Sequence, residues 1–281
     1  MQDFVDSFND HRRKFFNPGS SLTVDESFAE WNGLGGSWIN IGLPMYMSLD
    51  RKPHDGCEIQ DAADGDSGVL LRLIIVKSPD EVAKQQREAP KPWHDFNITH
   101  GGKVLFSLVE PWLDTGHIVV GHSAFASVRT TEMLEERNTG FLGSIKQAIT
   151  GFPMKFLSTM ETGGSRGGKF SLTNECHCFG QLCLTISTVT ESKVLVRKTG
   201  ERVDMMAVMT VDRNRQYYVA TRGSSKDAFV SRERWQQGSD TTAKPTKERI
   251  EFNRPDVVSM YHRIAGKIDT QDISIDAVAL L

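Results

Sequence analysis

Three things are scarce in this sequence: long apolar runs, surplus basic charge and cysteine. Each shortage removes a class of function. The most apolar stretch, Val69 to Val76, is broken by Arg72 and is far too short to cross a bilayer. Residues 1 to 10 are acidic and helical in pattern, not apolar, so no secretory signal is read there. The expectation is a soluble intracellular protein with no membrane partner. Lys and Arg number 33 against 36 Asp and Glu, a formal net charge of −3. The global basic field of an independent nucleic-acid binder is therefore missing, although a local basic groove stays open. Four cysteines in 281 residues, Cys57, Cys176, Cys178 and Cys183, suit a reducing compartment. Cys176-His177-Cys178 with Cys183 fits none of the usual paired zinc spacings, and reads as a strand with small buried thiols. No repeat at a solenoid period is present.

What is there is globular. Hydrophobic residues make up 38% of the chain, enough at this length for a sizeable core. Residues 2 to 16 carry Phe4, Val5, Phe8, Phe15 and Phe16 near helical spacing and stop at Asn17-Pro18-Gly19. Leu22 and Val24 then alternate with polar neighbours, a short strand that delivers Asp25 to the middle of a sheet. An acid so placed is either a surface residue on a half-wet face or one ligand of a metal site. Cys57 to Ala62 and Gly68 to Lys77 read as strands around an Asp64-Gly65-Asp66 turn. Asp61, Asp64 and Asp66 lack the rest of a calcium loop and read as turn acids. Residues 78 to 97 read as a surface loop.

Lys103 to Leu113 is helical in spacing, and His117 to Val120 is a nearly all-apolar run typical of a buried central strand. It stops at Gly121-His122, before a helix over Ala124 to Arg137 and a strand over Gly140 to Lys146. This order argues for a mixed α/β sheet with helices on its faces. From about Ala148 the pattern turns to short β-rich runs: Lys169–Leu172, Leu182–Val189, Val194–Arg197, Met205–Val211 and Tyr217–Thr221. They read as a β-rich insertion. Ser231 to Glu251 is polar and reads as loop, and Pro255 opens a last helix with a break at Gly266. The boundaries are 1–20 for the N-terminal helix and turn, 21–147 and 252–281 for the two parts of the core, and 148–251 for the insertion.

Two-metal phosphoryl transfer needs carboxylates from separate elements that converge on divalent cations. Asp269 and Asp272, three residues apart on a helix, share one face and can both point at Asp25. A third acid is expected at the end of the central strand beside that of Asp25, where this chain has His122.

With these residues in place, the chain resembles a piggyBac-type transposase, the family that includes piggyBac transposable element-derived proteins. The resemblance starts at Phe15-Phe16-Asn17-Pro18-Gly19 and Leu22-Thr23-Val24-Asp25-Glu26-Ser27, with Trp31 and Gly33 in register. It continues through Lys52-Pro53-His54, Gly116-His117 and Phe125-Ala126-Ser127. Leu134-Glu135-Glu136-Arg137, Thr139-Gly140, Gly143-Ser144-Ile145 and Gly151-Phe152-Pro153 follow. It ends on Pro255, Val258, Tyr261, Gly266 and Asp269-Thr270-Gln271-Asp272. Single pieces are weak, but the ordered set is specific.

The resemblance implies an RNase H-like fold of the DDE kind, with a β-rich insertion before the last catalytic helix. It implies Asp25 and Asp269 as the first and third catalytic acids, Asp272 as the additional acid, and magnesium or manganese as cofactor. It also implies transposon ends and target DNA as partners, a homodimer, and a nuclear location. His122 stands in place of the second acid and Ser123 in place of the Asn after it. Asn32 replaces an Arg, and Lys267 a Gly. Exchanging a carboxylate for imidazole removes a negative charge and an oxygen ligand from a site built for hard cations. The departures imply a degenerate member that holds no metal; the alternative is an active metal-dependent transposase. Residual DNA contact would rest on Arg12, Arg13, Lys14, Arg51 and Lys52, whose plain reading is a solvated helix face and a loop.

Overall fold

The computed structural model describes residues 2–30, 46–47, 55–88, 91–159, 193–197, 200–211, 215–224, 227–236 and 246–278; for 46–47, 86, 88, 92, 94, 159, 193–194, 211, 227–236, 246–254 and 268–278 it gives the backbone course alone. Nine strands form one sheet: β1 (Ser21–Glu30), β2 (Tyr46–Met47), β3 (Gly56–Asp64), β4 (Leu70–Ile75), β5 (Ile118–Gly121), β6 (Gly140–Ile145), β7 (Lys193–Val196), β8 (Arg202–Val211) and β9 (Arg215–Ala220). The spatial order is β2-β3-β1-β5-β6-β9-β8-β7, with β4 also on β3. β1, β5 and β6 are parallel, and every other pairing in the sheet is antiparallel. This is the mixed α/β sheet with flanking helices that the sequence leads one to expect.

The helices are α1 (Gln2–Phe15), α2 (Pro79–Glu88), α3 (His100–Val109), α4 (Val128–Glu136), α5 (Met154–Thr159) and α6 (Asp256–Val278). The central strands are apolar on both sides because helices cover both faces. Leu22, Val24, Val119 and Phe141 join one buried cluster with Leu105, Phe106 and Leu108 of α3 and Leu134 of α4. Val120 and Leu142, the next residues along, join the other with Val257, Val258, Tyr261 and Ile264 of α6. The period-two alternation of the strands thus sorts side chains to an α3/α4 face and an α6 face.

Three readings of the elements need correction. Residues 78–97 contain α2: Pro79 opens it, and Ser78 and Glu81 cap one another (Glu81 N to Ser78 Oγ 3.4 Å, Ser78 N to Glu81 Oε2 3.3 Å). Ser231 to Glu251 is no loop throughout, since β10 (Asp227–Gln236) and β11 (Thr246–Pro255) pair as a separate two-stranded ribbon. The expected break at Gly266 is absent, and α6 runs straight through it; a lone glycine costs a helix only about 1 kcal/mol relative to alanine. The β8 and β9 strands of the β-rich stretch extend the main sheet, with β9 registered on β6 from Leu142↔Ala220 to Ile145↔Tyr217. The runs at Lys169–Leu172 and Leu182–Val189, and the Cys176, His177, Cys178 and Cys183 set, lie outside the described residues.

Asp64 ties the chain ahead of β1 to the β3–β4 turn. Its buried carboxylate accepts from Gly19 N (2.8 Å), Ser67 N (2.7 Å) and Ser67 Oγ (2.5 Å). Burial pushes the Asp64 carboxyl up, but the bonds from Ser67, Gly19 and Asp66 outweigh it and hold the group below the usual carboxylate range. A depressed carboxyl stabilises the fold above its unfolded value, and that contribution is lost as pH falls through the folded one. Asp64→Asn should therefore cost on the order of 1–3 kcal/mol at neutral pH. The variant should also lose less stability than the natural chain on acidification, which urea unfolding at neutral and acid pH measures directly.

Candidate active site on the α6 face

Asp25 lies on the α6 face. Thr23 registers with Val120 across the parallel β1–β5 pair, and Val24 with Gly121. Thr23 and Asp25 therefore share the side of the sheet occupied by Val120, and the residue next to Asp25 beyond the end of β5 is His122. The side chains meet: His122 Nδ1 lies 2.8 Å from Asp25 Oδ1. The same oxygen accepts from Glu26 N at 2.8 Å. Asp25 is buried, at 6% exposure, whereas the His122 side chain is 36% exposed at the mouth of the site.

The rest of the wall comes from β6, β9 and α6. The Tyr261 ring lies 6.2 Å from that of His122 and 5.0 Å, edge-on, from that of Tyr218. Its hydroxyl donates to Ser144 Oγ at 3.1 Å. Tyr218 in turn donates to Gln216 Oε1 at 2.9 Å and approaches His262 Nε2 at 3.4 Å. Asp269 and Asp272 are both within α6, two and three helical turns beyond Tyr261. α6 packs against β1, β3, β5 and β6. The backbone thus carries both acids on the helix that covers the Asp25 face, and their side chains lie outside the described residues.

One residue here escaped the sequence reading. Asp61 is not a turn acid: β3 continues to Asp64, and Asp61 stands directly opposite Asp25 in the β1–β3 register. It is 3% exposed and accepts from Ser27 Oγ at 2.6 Å. Two carboxylates directly opposed on one face repel. The imidazole against Asp25 and the hydroxyl against Asp61 reduce that cost. The strand read over Cys57 to Ala62 already contained Asp61, but the Asp64-Gly65-Asp66 turn signal grouped it with the turn acids.

Among the described residues, the donors around Asp25 do not suit a pair of magnesium ions. Magnesium requires oxygen ligands, and His122, just past β5, offers a ring nitrogen in their place. Asp25 Oδ1 is already occupied by two donors, the Glu26 amide and the imidazole. Among the described residues, no three His, Cys, Asp or Glu side chains group as a metal site. What the geometry does supply is an oriented carboxylate–imidazole pair, with Nδ1 directed to Asp25.

The described basic candidates are placed elsewhere. Arg12, Arg13 and Lys14 close α1, which runs along β4 at the far edge of the sheet. There the Asn9 side chain bonds both backbone groups of Leu73 (2.9 Å each), so α1 covers an edge that would otherwise be open to pairing. Arg12 lies 5.3 Å over the Phe8 ring. None of the three is brought to Asp25. Arg51 and Lys52 lie outside the described residues.

Comparison with known proteins follows the same lines. The family described as Transposase IS4 matches residues 1–279. No curated protein matches the chain. Among solved structures, the chain is similar to the piggyBac transposase determined by cryo-EM in a synaptic complex with hairpin DNA, at a TM-score of 0.55 and 14% identity. That match covers 98% of this chain and 44% of the other, so this chain spans less than half the length of that relative. At this identity the likeness is one of fold, an RNase H-like sheet.

Proposed function

The chain belongs to the Transposase IS4 family, and from that premise we propose that it is a transposase-derived DNA-binding protein whose DDE site no longer cuts DNA. The observation that carries the reading is the 2.8 Å contact of His122 Nδ1 with Asp25 Oδ1. Active members of the family use divalent metal, which generates a nucleophile and stabilises a leaving oxygen. In this chain the imidazole stands just past the end of β5, at the expected carboxylate position, and binds the acid on β1. Asp25, Asp269 and Asp272 are the surviving members of the acid set, on the elements where such a site needs them. Of these, Asp25 is engaged by a nitrogen donor.

DNA remains the partner that family membership favours, and a nuclear location goes with it. The structural relative is one solved with hairpin DNA. The formal charge of −3 argues for binding through a few local Lys and Arg contacts. Arg12, Arg13 and Lys14, consecutive at the end of α1, are the described candidates for phosphate contact.

The test uses the natural chain with a labelled DNA hairpin and a linear duplex. Binding should be weak, with affinity falling about 10-fold or more between 50 and 200 mM salt. Neither magnesium nor manganese should produce nicks or strand transfer. Metal-dependent nicking that disappears in Asp25→Ala would establish the competing reading, an active transposase. Salt-independent DNA affinity, or none, would remove DNA as the partner.

A further inference from the structure

Away from Asp25, the described residues contain a buried ionic cluster that the reading above does not use. Glu135, near the end of α4, is 1% exposed. Its Oε1 accepts from Arg222 Nη1 at 2.7 Å, and its Oε2 from Arg197 Nε at 3.1 Å. Arg197 also pairs with the exposed Glu201. Burial pushes the Glu135 carboxyl above its ordinary range, with bonds from Thr221 and Arg197 drawing it back. A buried carboxylate is costly unless cations and hydrogen bonds surround it. Here they come from two separate places, the end of β7 and the end of β9.

The Arg222 contact lies next to the start of α6. Thr221 extends β9 against β6 (Phe141 N to Thr221 Oγ1 2.9 Å, Thr221 N to Phe141 O 2.9 Å). Gly140 leaves the room that Arg222 fills, since a Cβ there would stand 2.6 Å from Arg222 Cγ. Two residues on, Ser224 O accepts from Val257 N at 3.0 Å, and Ser224 N donates to Asp256 Oδ2 at 3.2 Å. Gly223 takes a φ of +87°, and a Cβ there would meet Met260 Cε at 3.1 Å and Val257 Cα at 3.3 Å. The first turn of α6 is thus seated on residues 223 and 224. Everything between, including the β10–β11 ribbon, leaves and returns at this point, with Asp227 opposite Pro255 at its base.

We propose that Glu135 is a positioning residue for α6: through Arg222 it fixes the short segment on which that helix starts, and so fixes Tyr261 against His122. Arg197 uses the same carboxylate for a different purpose, holding β7 to α4. The inference stands whether or not the site cuts DNA, because it concerns where α6 sits.

Three single variants of the full chain separate the two arms: Arg222→Met, Arg197→Met and Glu135→Gln. The readouts are native-state amide exchange and the His122 ring-proton shifts in the folded protein. In Arg222→Met, amides from Val257 to Ala265 should exchange about 10-fold faster while β1 and β5 keep their rates. The His122 signals should move as the Tyr261 ring shifts, and Arg222→Lys should restore them in part. Arg197→Met should speed exchange in β7 and β8 and leave α6 and His122 unchanged. Glu135→Gln should loosen both arms; if it fails to fold, the two arginine variants decide the matter. The proposal is overturned if α6 loses protection only in step with β1, or if Arg197→Met disturbs α6 as much as Arg222→Met.

Discussion

Replacing His122 by aspartate is expected to make the stability of this protein depend on divalent cations. In the natural chain, the imidazole sits 2.8 Å from Asp25 on a face that also buries Asp61. The variant loses that partner and places a further carboxylate beside two existing ones. Removing one member of a buried pair costs about 3–5 kcal/mol, and the partial exposure of His122 lowers this to about 2–4 kcal/mol in cation-free buffer. Oxygen from β5 and a released Asp25 Oδ1 then suit a hard cation. At about a hundredfold the dissociation constant, magnesium would return roughly 2.7 kcal/mol. Urea unfolding with and without magnesium measures both terms. His122→Asn is the control: it should lose stability without gaining magnesium dependence. If the natural chain is stabilised by magnesium as strongly as the variant, the imidazole does not close the site.

That the two side chains meet follows from features visible in the sequence. Val24 and Val120 belong to β-forming runs; Asp25 follows Val24 within its strand, His122 follows the end of the other, and parallel neighbours in a helix-covered sheet bring such positions together. The β1–β5 register does so, with Val24 beside Gly121. Asp61 was hidden for the opposite reason. Its neighbours Asp64, Gly65 and Asp66 are a strong turn signal, and Asp61 was grouped with them although it lies within the strand read over Cys57 to Ala62, which continues to Asp64.

The ribbon was illegible in a different way. Strand signals rest on apolar alternation, and Ser231 to Glu251 has little. Its register sets Glu233 opposite Arg249 and Arg234 opposite Glu248, a pairing between segments that no single-window reading can detect. Likewise, nothing local to Met205–Val211 or Tyr217–Thr221 says whether those strands begin a new unit or extend an old sheet. Only the pairing of β9 with β6 decides it. Helix α2 was legible and passed over, since Ser78-Pro79-Asp80-Glu81 is a capping sequence with proline at the first helical position.

Tyr261→Ala is expected to detach α6 from the sheet locally and to be among the most damaging single changes near the site. Tyr261 is 7% exposed, packs edge-on against Tyr218, faces the His122 ring and bonds Ser144 across the helix–sheet interface. Truncating a buried aromatic costs about 3–5 kcal/mol. Tyr261→Phe keeps the ring and loses only the hydroxyl bond, a cost of about 1 kcal/mol. The two variants therefore separate packing from hydrogen bonding, and urea unfolding reads both. The sharper comparison is amide exchange along α6. If the ring seats the helix, Tyr261→Ala should expose amides on both sides of position 261, including those approaching Asp269, while Tyr261→Phe leaves them protected. Equal exchange in the two variants would mean that Val257, Val258 and Ile264 seat the helix without it. The acids on α6 would then owe their place to the aliphatic stripe alone.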